Sequence, residues 1–467
     1  MPASTPICPA KLLSRTSHVL PDALHVTEID FEVPLDHANP GGPKIRLFAR
    51  SARKDERPIV PLSAAEKEVR DQRPYLVYLE GGPGFGCPEP QDHNLTRHAL
   101  DKGYQVLFLD YRGTGLSTPV DARIVSSKGS PQEQAYYLSM FRADNIVKDL
   151  EAVRLCLTDD WEPELKTWSI FGQSFGGFVC LSYLSKYPQG LREVYMTGGL
   201  APIKRTAEEV YNALYKKVIE RNEAYYKKYP EDVERVKAIA RQRLQSGSAP
   251  KLPGGGAFTL DRLLGLGMSF GLHGGLDAVH SIILRLFSDL SVQGDFTAST
   301  LMAFEKQVPL DCNPIYAILH EPIYCTKPGQ VANHAAFRAG QSIQQYSWLK
   351  GQGAAGPLYF SGEMIYPSYY DSYPELRCIK EAAEILAKKD DWPELYSEEQ
   401  LQRNDVPVYA VSFVDDMYVD FEFARETART VKGIKVYETN QLYHNALRAR
   451  SDEVIHQLFK MRDEELD

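Results

Sequence analysis

Ser174 stands in Gly172-Gln173-Ser174-Phe175-Gly176, the Gly-x-Ser-x-Gly spacing that holds a nucleophile on a sharp strand-to-helix turn. A serine hydroxyl attacks a carbonyl only when a base takes its proton. On a parallel α/β sheet the chain order of such a set is serine, acid, histidine. Few of the eleven histidines fall in the last strand-and-helix stretch. His456 lies inside a terminal helical pattern, whereas His444, in "NQLYHNALR", follows the last strand. The preceding strand ends in "VSFVDDMYVD", which offers Asp415 and Asp416, with Asp420 as a third candidate. Adjacent side chains point in different directions, so one of the pair orients His444. Acyl transfer also needs two donors for the oxyanion. The Phe175 N–H, at the start of a helix, is one. "LEGGPGFG" (79–86) follows another strand and offers Gly82, with Gly81 beside it. Its glycines let backbone approach a ligand, and Pro83 stiffens the turn.

These residues need a sheet to converge on. Three short apolar runs, "YLVYLE" (75–80), "YQVLFLD" (104–110) and "TWSIF" (167–171), read as buried strands. Between the last two, Ile146, Val147, Leu150, Val153 and Leu157 recur at helical spacing. "FVCLSYLSKYP" reads as a helix stopped near Pro188, and "LREVYMTGG" (191–199) as another strand. Strands alternating with helices predict a mostly parallel sheet covered on both faces. Residues 25 to 53 read as a hairpin around Asn-Pro-Gly-Gly-Pro, and 54 to 73 as a polar surface loop with a helical turn. From 203 to 400 the chain favours helix with charged faces; strand character returns at 406–416 and 433–440, and a helix follows. The expected architecture is an α/β domain (1–202), a helical cap (203–400), and the rest of the α/β domain (401–467). In "LDYRGTGLSTP" (109–119), Asp110 and Arg112 read as a structural ion pair bracing the elbow loops.

The chain has 467 residues and a net charge of -9, which argues against nucleic acid or an anionic membrane as partner. No apolar stretch approaches the ~20 residues of a membrane span, and the N-terminus lacks a secretory pattern, so a cytoplasmic location is expected. The seven cysteines include no Cys-x-x-Cys and the histidines no His-x-x-x-His, so neither a metal site nor a disulfide framework is expected.

Taken in order, "GGPGFG", "DYRGTGLSTP", "GQSFGGF", "DDMYVD" and "YHNALR" resemble the motifs of the prolyl aminopeptidases (proline iminopeptidases), serine peptidases of the α/β-hydrolase fold. The resemblance spans about residues 25 to 460, and the length is similar to that of the larger members. The family's first motif often begins with His; here Glu80 replaces it. The resemblance implies Asp416 as the triad acid, because the acid immediately precedes the position of Met417. It implies release of N-terminal proline from peptides, without a cofactor. Two cap stretches, "HEPIYC" (320–325) and "FSGEMIYP" (360–367), carry Glu321 and Glu363, which the resemblance makes the ligands of the substrate's free amine. A carboxylate in a partly desolvated pocket suits that cation. Phe85, Phe175, Tyr324 and Tyr366 are candidates for a pyrrolidine pocket, and Cys325 either adjoins the site or is a buried apolar residue. A broader aminopeptidase or an esterase on the same scaffold is the alternative expectation.

Overall fold

The computed structural model describes residues 6–56, 59–245, 250–352 and 356–464. Among them, nine strands form one sheet in the order β1-β2-β3-β5-β4-β6-β7-β8-β9. They are β1 Lys11–Leu20, β2 Leu24–Pro34, β3 Lys44–Lys54, β4 Tyr75–Leu79, β5 Gln105–Asp110, β6 Trp168–Gln173, β7 Leu191–Thr197, β8 Val408–Phe413 and β9 Ile434–Thr439. From β5 to β9 every pairing is parallel, and β1, β2 and β3 add an antiparallel edge. The expected hairpin is β2–β3. The edge strand β1 was not foreseen: its residues are almost all exposed, Leu12 and Leu13 included, so it carries no buried alternation to read.

The parallel strands β4 to β8 are buried on both faces almost throughout, and the period of two in a strand divides their residues between two cores. Val77, Leu79, Leu107, Leu109 and Ile170 join one core, with helix Ala143–Leu157 and helix Phe175–Lys186. Leu76, Tyr78, Val106, Phe108 and Phe171 join the other, with helices Asn94–Asp101 and Ser451–Asp463. The five apolar positions predicted for Ala143–Leu157 are all buried.

Between β7 and β8 the described residues form helices and turns, beginning with Ala207–Lys228, apart from one isolated bridge between Lys251 and Ala257. The chain then returns beside its point of departure, since β8 pairs with β7 from Val194↔Val408 to Thr197↔Val411. Parallel pairing brings the C-terminal ends of β4, β6, β8 and β9 to one edge. In open α/β sheets that edge is where ligands bind.

The expected Asp110–Arg112 pair does not form. Arg112 turns inward and makes a two-pronged pair with Asp149, at 2.6 Å for each contact, and His37 bonds the same carboxylate at 2.7 Å. A buried guanidinium needs a matching buried carboxylate, and helix Ala143–Leu157 supplies it. Asp110 instead accepts the N–H groups of Cys87 (2.7 Å) and Leu116 (2.8 Å), tying the loop after β4 to the loop after β5.

Candidate active site

The turn at Ser174 is made by backbone crowding. Ser174 has φ 53° and ψ -120°, a strained region for a residue with a side chain. Three glycines allow that turn to sit tightly. A Cβ on Gly172 would strike the backbone of Gly176, one on Gly176 would strike the Leu79 carbonyl, and one on Gly177 would strike Gly199. The Ser174 N–H donates to the Thr197 carbonyl at 3.0 Å, anchoring the elbow to the end of β7.

His444 Nε2 lies 2.8 Å from Ser174 Oγ, and its Nδ1 lies 2.7 Å from Asp416 Oδ2. The other carboxylate oxygen, Oδ1, accepts the N–H groups of Tyr418 (2.8 Å) and Val419 (3.1 Å). Asp416 is buried, whereas the Asp415 side chain is 45% exposed and faces Lys217 at 3.7 Å. Asp420 caps helix Phe421–Thr430 by accepting the Phe423 N–H. Of the three carboxylates, Asp416 is the one against the imidazole. Burial alone would lower the His444 pKa, but the Asp416 carboxylate overrides it and the net shift is upward; Glu363 adds to that rise and Arg448 opposes it.

Gly81 and Gly82 border the elbow. A Cβ on Gly81 would come within 3.3 Å of Ser174 Cβ. The Gly81 N–H donates to Glu80 Oε1 at 2.8 Å, and Pro83 has no N–H. Phe175 is the first residue of its helix, where an N–H has no partner within the helix.

A cavity of about 510 Å³ opens over Ser174. Its sheet side includes Gly81, Gly82, Phe85, Ser174 and His444; its far side is built by Met268, Leu272, Tyr316 and Glu363 from the helical segment. Phe85 packs against Tyr316, with ring centroids 5.2 Å apart. The Tyr316 hydroxyl donates to Glu363 Oε1, and His320 Nε2 lies 3.7 Å from Glu363 Oε2. The Tyr418 ring covers His444 at 4.5 Å, and its hydroxyl is fixed on the Met268 carbonyl.

Not all the expected pocket residues reach this wall. Glu321 points elsewhere: its carboxylate accepts the N–H groups of Ala335 (3.1 Å) and Ala336 (3.0 Å), at the start of a helix. Burial pushes its pKa up to about 7 in spite of those bonds. Tyr324 is packed behind the wall against Phe178 and Tyr211. Tyr366 is fully buried, with its hydroxyl 3.0 Å from that of Tyr215. The Phe175 ring is buried against Tyr111 and Phe178. Cys325 is buried as well, and burial raises its thiol pKa to about 12. Tyr316 and Met268 went unforeseen because nothing local marks them; Tyr418 and Arg448 lie within the quoted motifs "DDMYVD" and "YHNALR", where a closer reading finds them.

Among the described residues, no helix is long and apolar enough to cross a membrane. A family model for the alpha/beta hydrolase fold matches residues 74–241, which contain the first loop, the elbow and β4 to β7. Two relatives extend the likeness to nearly the whole chain. Proline iminopeptidase aneH of Aspergillus aculeatus is 40% identical over 461 residues, covering 99% of each chain. The proline iminopeptidase of Aeromonas sobria is 37% identical over 454 residues, covering 96% of this chain and 99% of that protein. With an α/β-hydrolase sheet and this identity running through both the sheet and the helical segment, the chain belongs to the proline iminopeptidase family.

Proposed function

We propose that the protein is a serine exopeptidase that releases N-terminal proline from peptides through an acyl-enzyme, with residues 203–400 acting as a cap over the site. The carrying observation is that one cavity contains both the Ser174–His444 couple and the Glu363 carboxylate. A nucleophile says how an acyl group is attacked; a carboxylate beside it favours substrates whose amine is free and charged.

In this reading Ser174 Oγ attacks the scissile carbonyl carbon while His444 Nε2 takes the hydroxyl proton. The developing oxyanion is held by the N–H groups of Gly82 and Phe175. Asp416 fixes the imidazole with Nδ1 protonated and stabilises the imidazolium. His444 then gives its proton to the leaving amine, and the C–N bond breaks to leave a prolyl ester on Ser174. Water, deprotonated by His444, cleaves that ester and frees proline. No step calls for a cofactor. Glu363 holds the ring nitrogen's proton-bearing end, and Phe85 with Tyr316 lies against the apolar ring. Glu321 has its acceptors occupied by backbone, so its role is to shape the cap.

The test is a panel of aminoacyl arylamides with free and acetylated N-termini. Fast cleavage of the free prolyl compound, and none of the acetylated one, is expected. Cleavage of both at similar rates would overturn the exopeptidase reading, and full turnover by Ser174→Ala would overturn the mechanism.

A further inference from the structure

Arg448 belongs to the short helix Ala446–Ala449 that follows His444. Its side chain is 67% exposed and lines the cavity over Ser174, where it is the sole arginine or lysine among the described lining residues. Nη2 donates to Glu80 Oε1 at 3.1 Å. Glu80 is buried, and its acceptors are taken from the protein side: Oε1 also receives the Gly81 N–H, and Oε2 receives the Tyr78 hydroxyl at 3.4 Å. Glu80 therefore acts as a tether. It fixes the guanidinium one residue from Gly81, which abuts the nucleophile, and engages one of five N–H donors. Among the described residues no second carboxylate pairs with Arg448.

The cavity lining thus holds one guanidinium, tied to the Glu80 carboxylate, and a second carboxylate, Glu363. His444 responds to both, with Glu363 raising its proton affinity and Arg448 lowering it, so both charges act at the reacting atoms. A free dipeptide or tripeptide is a zwitterion with complementary ends. Beyond the scissile bond each extended residue advances the chain by about 3.3–3.6 Å, so the carboxylate of a short peptide ends close to the nucleophile. Guanidinium matches a carboxylate in shape as well as charge.

We propose that Arg448 binds the C-terminal carboxylate of short peptides, making free di- and tripeptides the preferred substrates. This rests on the exopeptidase reading, with Glu363 taking the amine. Because Arg448 is largely solvated, the gain is about threefold, not thousandfold.

The experiment measures kcat/KM for Pro-Gly, Pro-Gly-amide, Pro-Gly-Gly, longer proline-led peptides and a prolyl arylamide, using the full chain, Arg448→Gln and Arg448→Glu. The wild type is expected to prefer Pro-Gly over its amide by about threefold. The ratio should fall to about one in Arg448→Gln and invert in Arg448→Glu, and added salt should reduce the wild-type ratio. The preference should fade as the peptide lengthens. A wild-type ratio near one, or the same ratio in Arg448→Gln, overturns the assignment. If the variants are inactive, the wild-type ratio and its salt dependence still decide. A wild type that cleaves prolyl arylamide but ignores the carboxylate refutes this inference alone; one that cleaves neither refutes the exopeptidase reading.

Discussion

Glu363→Gln separates amine recognition from acyl transfer. The amide keeps the size of the carboxylate and retains an oxygen for the Tyr316 hydroxyl, so the cavity wall keeps its shape while one charge is lost. The Glu363 side chain is 15% exposed, which limits solvent screening. Two unit charges 4 Å apart attract by about 4 kcal/mol at an effective dielectric constant of 20. Desolvation and the amide's residual dipole offset part of this, leaving the ~1.5–3 kcal/mol typical of a hydrogen bond to a charged group. The expected loss is therefore about 10- to 150-fold in kcat/KM for prolyl arylamide, measured relative to an ester that lacks an amine. A second readout follows from His444, whose raised pKa includes a contribution from Glu363. His444 serves as base only when unprotonated, so kcat/KM rises with pH through its folded pKa, above 6.5. Removing the Glu363 charge lowers that pKa, and the acidic limb moves to lower pH. Equal losses on both substrates, with an unmoved acidic limb, would refute the assignment.

Three other perturbations test the surrounding structure. Asp416→Asn lowers kcat by about 10³–10⁴-fold by freeing the imidazole tautomer, while Asp415→Asn, at an exposed ion pair, stays within about threefold; steady-state kinetics of both variants decide between the two aspartates. Gly176→Ala forces a Cβ onto the Leu79 carbonyl and costs about 3 kcal/mol, read as earlier thermal or urea unfolding. Glu321 titrates at about 7 in the fold, above its ordinary range, so the folded state binds its proton more tightly than the unfolded state. Its ionisation therefore withdraws stability as pH rises from about 4.5 through 7, on the order of 3 kcal/mol. Glu321→Gln, lacking that charge, should lose less stability than wild type between pH 5 and 8 in urea titrations.

The parts legible in the sequence are those whose signal is local. The run Tyr75–Leu79 is apolar because both of its faces are covered, and the crowding around Gly172, Gly176 and Gly177 has no substitute for glycine. His444 was identified by its place after a strand. Contacts decided by distant partners were not legible. Arg112 looked like a match for its neighbour Asp110, but its partner Asp149 lies 37 residues away on a helix. Glu321 and Glu363 read alike within their motifs, yet backbone N–H groups capture one while the other lines the cavity over the nucleophile. Nothing near residue 321 in the sequence announces that capture.

The pairing of β7 with β8 has a consequence for how activity is acquired. Joining Val194 to Val408 closes a loop of about two hundred residues, which for a slack chain costs about 5 kcal/mol in entropy. The intervening helices shorten that loop if they form first, so docking of β8 is favoured late. Ser174 precedes His444 by 270 positions. Until His444 has been added to the chain, the base that pairs with the Ser174 hydroxyl is absent. Hydrolytic capacity arises only when the returning strands complete the sheet, and the order of the chain itself keeps the unfinished protein inert.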